Sequence, residues 1–221
     1  MVPNFFKKEE LEPVLKGIEG LVDILAEKLH QAGKIKDKYE NAPVFKRLTL
    51  IDNEFSGAAV LLHKFAVMIK EIADLWTNER LLNVVEQFIG PEIAGHPVWN
   101  IRTKIPRNEQ VTVPWHQDSA YLSPEACEVL QPTVWIPLLD ANKENGCMEV
   151  ARYGHKSGVL AKHTCCAGPT WYVDLDENEM QTTLGRESMF ATLGVDMEKD
   201  IVLCEVPFGG VLFINNMIPH R

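Results

Sequence analysis

Val111-Thr112-Val113-Pro114-Trp115-His116-Gln117-Asp118 ends a β-branched and aromatic run on a histidine and an aspartate two positions apart. Side chains at i and i+2 of a strand project from the same face. The imidazole of His116 and the carboxylate of Asp118 are therefore predicted to approach one metal ion from one side. A third ligand has to come from elsewhere. The best candidate is His220, in Asn215-Asn216-Met217-Ile218-Pro219-His220 at the end of the last strand-like run. Two histidines and one carboxylate make a facial set that leaves positions on Fe(II) open for a co-substrate and oxygen. A His-x-Asp pair by itself is common by chance, so its meaning depends on the surrounding chain.

That surrounding chain is β-rich. Short runs at 98–105, 111–115, 133–139, 148–151, 201–206 and 211–215 are separated by Pro, Gly, Asn and Asp. This spacing predicts an antiparallel sandwich or barrel rather than alternating βαβ units. The stretch 168–200 is polar and weakly periodic, and reads as a long insertion of the kind that often serves as a lid. Within it, Trp171 and Tyr172 are candidates to line an apolar pocket. The first ninety or so residues differ. Leu11, Val14, Leu15, Ile18, Leu21, Val22, Leu25 and Leu29 recur on one helix face, with Gly33 as the stop. Leu61, Phe65, Met68, Ile72 and Leu75 predict a second helix, capped by Asn53 or Ser56. Asn78 caps a third, carrying Leu82, Val85 and Phe88 and closed by Gly90-Pro91.

Composition narrows the function. Across 221 residues, 46% are hydrophobic and 24% charged, enough for a packed core. The net charge of −9 argues against nucleic acid as a main partner, because phosphate binding needs a basic face. The five cysteines form no C-x-x-C pair, which fits reduced thiols rather than a disulfide framework or zinc knuckle. No run approaches the ~18 apolar residues of a membrane span, and the opening residues carry no secretory h-region. A cytoplasmic chain is expected, with peroxisome and mitochondrion left open.

Downstream of the His-x-Asp pair come Thr133-Val134-Trp135-Ile136-Pro137-Leu138-Leu139-Asp140, Glu144-Asn145-Gly146-Cys147-Met148-Glu149-Val150 and Tyr153-Gly154-His155-Lys156-Ser157-Gly158. Gly209-Gly210-Val211-Leu212-Phe213 precedes His220. This ordered series resembles the phytanoyl-CoA dioxygenase family of Fe(II)- and 2-oxoglutarate-dependent oxygenases. The resemblance covers roughly residues 99–221, and the helices before it fit the family's helical N-terminal part.

The resemblance implies one domain over 1–221, helical over 1–92 and a double-stranded β-helix (jelly roll, cupin-like) over 93–221, with the insertion at 168–200. His116, Asp118 and His220 match the family's metal ligands. Lys104 matches a lysine that helps hold 2-oxoglutarate, and Trp135 a tryptophan near the co-substrate. The implied cofactors are Fe(II), 2-oxoglutarate and O2, with ascorbate a candidate reductant. The implied reaction hydroxylates a small organic substrate or an acyl-CoA while 2-oxoglutarate becomes succinate. His155 falls on a family histidine read as structural, and Asn145-Gly146 reads as a turn.

One departure matters. The family places an arginine on the strand after the distal histidine, where it clamps 2-oxoglutarate, whereas this sequence stops at Arg221. Arg221 is a poor substitute, since adjacent strand residues face opposite ways. A shortened chain lacking the last strand is therefore expected. Other readings stay open at this point: an inactive member that keeps the fold, a cupin-like metal protein without 2-oxoglutarate, and a structural β-sandwich module. The substrate and the oligomeric state are not legible.

Overall fold

The computed structural model describes residues 1–65, 67–96, 99–106, 112–167, 172–175 and 183–221. It is a mixed structure of helices and small antiparallel sheets. Its contacts divide the chain into two units: 7–86 with 92–112, and 1–6 with 87–91 and 113–221.

In the first of these, α1 (Lys8–Gln31) buries Leu11, Val14, Leu21, Val22, Leu25, Ala26 and Leu29 at helical spacing. The Glu10 carboxylate accepts the Lys7 amide at 2.8 Å, satisfying an end group that the helix leaves unpaired. Gly33, at φ 65°, ends it. Next come α2 (Val44–Glu54), α3 (Ala58–Lys64) and α4 (Lys70–Trp76). Leu48, Ile51, Ala58, Ala59 and Leu62 close a core with the apolar stripe of α1. The second predicted helix is thus two helices. The N-cap of α3 is Gly57, not Asn53 or Ser56, and the Asp52 carboxylate from α2 accepts the amides of Gly57 and Ala59 at 3.2 and 2.9 Å. In α5 (Glu79–Ile89) the Asn78 cap is as predicted, accepting from Arg80 and Leu81 at 3.1 and 3.3 Å.

The second unit holds the strands. β1 (Pro132–Trp135) pairs with β6 (Leu212–Asn215), and β2 (Met148–Ala151) with β5 (Ile201–Cys204). β3 (His163–Ala167) pairs with β4 (Tyr172–Leu175), and every pairing is antiparallel. The segment 1–6 joins this unit through a Val2–Val211 bridge and the Phe6 amide, which donates to the Gly209 carbonyl at 2.7 Å. Gly209 has to be glycine, because its φ is +85° and a Cβ would stand 2.4 Å from the Phe6 carbonyl oxygen.

Several expectations need correction. Described residues 99–105 and 112–115 form no strand, and β1 ends at Trp135 rather than continuing to 139. Within 168–200, read as an insertion of the kind that often serves as a lid, lies α6 (Thr183–Thr192). Met189, Phe190 and Leu193 are buried with Trp115, Ala151, Ala161 and Leu175, so this part of the insertion is core rather than lid. Trp171 lies outside the described residues, as does the side chain of Tyr172. Among the described residues no helix is long and apolar enough to cross a membrane.

Candidate metal centre

Three segments converge where the chain brings His116 and His220 face to face. The His116 amide donates to the His220 carbonyl at 3.0 Å, and the His220 amide returns the bond at 2.9 Å. On the far side of His220, the Ala151 amide donates to Pro219 at 2.8 Å, and Glu149 and Arg221 exchange both backbone bonds at 2.9 Å. His220 is therefore held between β2 and the His116 segment. Asp118 does not continue a strand; it opens a 3-10 turn, Asp118–Tyr121. Gln117, between His116 and Asp118, is extended, at φ −113° and ψ 131°, so the two share one side of the chain as the two-residue period predicts, and the turn begins only after that.

The ligand atoms of His116, Asp118 and His220 all lie within 4.8 Å of one another. His116 Nε2 stands 3.4 Å from Asp118 Oδ1, and His220 Nε2 stands 3.6 Å from the same oxygen. Both histidines are buried at 4% exposure, while the Asp118 side chain keeps 24%. The site opens on its carboxylate side.

Proton positions make this cluster informative. His116 Nδ1 lies 2.8 Å from the Pro114 carbonyl, and His220 Nδ1 lies 2.9 Å from the Ile218 carbonyl. A carbonyl can only accept, so each Nδ1 carries the proton. In a neutral ring Nε2 is then a bare lone pair, and both lone pairs face a carboxylate oxygen. Such a convergence calls for a cation between them, either protons on the rings or a metal ion. Adjacent donors around a six-coordinate divalent ion ~2.1 Å from each of them stand about 3 Å apart. The two imidazole-to-carboxylate separations, 3.4 and 3.6 Å, are somewhat longer than that. The donor set fits Fe(II), and each imidazole has the backbone partner that commonly orients a metal-bound histidine.

Burial works against ionisation of Asp118. The hydrogen bond with His116 and the charges of His220 and His116 outweigh it, with help from Thr133, and hold the carboxyl well below the usual range. Thr133, on β1, donates from Oγ1 to Asp118 Oδ2 at 2.6 Å, which leaves Oδ1 for the imidazoles. Tyr121 stands edge-on to His116 with ring centroids 5.7 Å apart, and is 43% exposed.

The remaining candidates have settings of their own. Trp135 ends β1 and packs on Met148, Val206, Leu212 and Ile214. Lys104 is exposed and belongs to the helical unit. Arg221 pairs with the Glu149 carboxylate, and its guanidinium lies 5.1 Å from the centre of the Trp115 ring. His155 sits in a 3-10 turn, and burial lowers its pKa. Sequence reasoning missed Thr133, Gln117 and His163. Thr133 reads as an ordinary strand residue, and only the pairing of distant segments reveals the other two.

The family model for phytanoyl-CoA dioxygenase (PhyH) matches residues 1–221. The chain belongs to that family, whose members use Fe(II) and 2-oxoglutarate. No curated protein matches it significantly. Two solved structures of EvdO2 from Micromonospora carbonacea var. aurantiaca, one complexed with 2-oxoglutarate, are 24% identical with a TM-score of 0.33. Each match covers 49% of this chain and 37% of that protein, so the chain spans little more than a third of its length.

Proposed function

We propose that this chain is an Fe(II)- and 2-oxoglutarate-dependent dioxygenase that hydroxylates a small organic substrate or an acyl-CoA, with His116, Asp118 and His220 as the iron ligands. The observation that carries this reading is the convergence of His116 Nε2 and His220 Nε2 on the Asp118 carboxylate in a chain of this family. When bound, the iron supplies the coupling of 2-oxoglutarate decarboxylation, giving succinate and CO2, to insertion of one oxygen atom of O2 into a substrate C–H bond.

The protein's own residues hold the geometry. His116 and His220 each fix Nδ1 on a backbone carbonyl and turn Nε2 toward Asp118, which supplies the negative charge. Thr133 occupies the second carboxylate oxygen, favouring single-oxygen ligation through Oδ1. Burial of both imidazoles keeps water off their side of the site. The exposed ring of Tyr121 offers an apolar wall where substrate would arrive.

Family likeness alone assigns Lys104 and Trp135 to the co-substrate. It also supports one domain over 1–221, with helices in 1–92 and a double-stranded β-helix over 93–221. The test is an anaerobic titration with Fe(II) and then 2-oxoglutarate, followed by the weak visible charge-transfer band of the ternary complex. A band that disappears in His116→Ala is expected. Iron bound without a band would favour a family member that keeps the metal but not the co-substrate.

A further inference from the structure

We propose that His163 is a positioning residue for the metal centre, acting through the backbone amide of Gln117, the residue between two of the ligands. This rests on the metal reading given above.

Three histidines share one local device. Each directs Nδ1 at the carbonyl two residues back: His116 to Pro114, His220 to Ile218, and His163 to Ala161 at 2.7 Å. Each thereby turns Nε2 into an acceptor. For His116 and His220 that acceptor faces Asp118. For His163 it receives the Gln117 amide at 3.0 Å, so both ring nitrogens are engaged and His163 is not a ligand.

Gln117 is fully buried, so its amide has no access to solvent. Its side chain donates to the carbonyls of Val159 and Met217 at 3.0 and 2.7 Å and accepts the Ala161 amide at 2.9 Å. One residue thus ties the His-x-Asp turn both to the segment that delivers His220 and to the segment that delivers His163. The Gln117 amide fixes the peptide plane that follows His116 and leads into Asp118. The other end of that plane, the His116 carbonyl, accepts the His220 amide at 2.9 Å. Without His163 the plane keeps only that one anchor, its buried amide is left without an acceptor, and the setting of the two ligands loosens.

The experiment titrates Co(II) into the whole protein and its His163 variants, recording affinity and the visible d–d spectrum. His163→Leu keeps bulk without an acceptor, and His163→Asn is too short to reach Gln117 from the same position. Both should weaken Co(II) binding about 10- to 100-fold, the usual effect of removing an outer partner, and change the spectrum. His163→Gln places an amide oxygen near the former Nε2, and should restore affinity to within about threefold. Should the leucine variant fail to fold, the Asn–Gln comparison carries the test. Equal affinity and spectra in wild type, Asn and Gln forms would overturn the role of His163 alone. A wild type that takes up no Co(II) would overturn the metal centre itself.

Discussion

Asp118 shows how a single carboxylate is specialised by what touches it. Oδ1 faces the two imidazoles and Oδ2 accepts from Thr133. Replacing Thr133 with Val keeps the β-branched shape and removes only the hydroxyl donor. A hydrogen bond to a charged group contributes ~1.5–3 kcal/mol when shielded, and less at this exposed edge of β1. Thr133→Val should therefore weaken Fe(II) binding by about 3- to 10-fold, a factor of ten being ~1.4 kcal/mol. Isothermal titration under anaerobic conditions measures it, and an unchanged affinity would show that the hydroxyl does not steer the carboxylate. His116, Asp118 and His220 were legible as candidate ligands through the ordered series of motifs around them, since a His-x-Asp pair alone is common. Thr133 was not, because nothing local distinguishes a strand threonine that meets a carboxylate from one that meets water.

At the level of elements, the centre depends on how closely neighbouring segments approach. Gly154 lies under Pro219, where a Cβ would stand 2.6 Å from the proline Cδ and 3.1 Å from Val195 Cγ2. Pro219 immediately precedes His220, and its carbonyl is held by the Ala151 amide. Gly154→Ala should therefore displace the segment that carries His220. Overpacking of this kind costs ~1–3 kcal/mol, so a clear loss of melting temperature is expected together with weaker metal binding. A variant that melts and binds like wild type would contradict the close packing. The long helix α1, its Gly33 stop and the Asn78 cap were readable because helix periodicity and caps are local signals. The split between α3 and α4 was not readable, since an apolar repeat continues across it. Residues 112–115 misled for a different reason. Their β-rich composition reflects burial of Trp115 against Phe190, with ring centroids 5.2 Å apart, rather than ladder pairing. In 168–200, the polar surface of α6 concealed the apolar side that Met189, Phe190 and Leu193 bury.

Across the whole molecule, titration should couple to stability through histidines that the fold keeps neutral. Burial lowers the pKa of His63, with the charge of Arg102 adding to the effect, and burial likewise lowers His155. Both sit below the ordinary 6.5. The unfolded chain therefore binds more protons than the folded one just below that pH. Stability is complete above 6.5 and falls as the pH drops through it, whereas the ionised Asp118 is lost only in much stronger acid. The metal-free protein should melt at a lower temperature at pH 5 than at pH 7. A melting temperature flat over that range would contradict neutral burial of these rings. The central claim is that His116, Asp118 and His220 form one metal site. Its most direct test is the first stage of the anaerobic titration, counting Fe(II) bound by the wild type and by Asp118→Ala. One equivalent in the wild type and none at the same concentrations in the variant is the expected result. Equal uptake by both, or none by either, would contradict it.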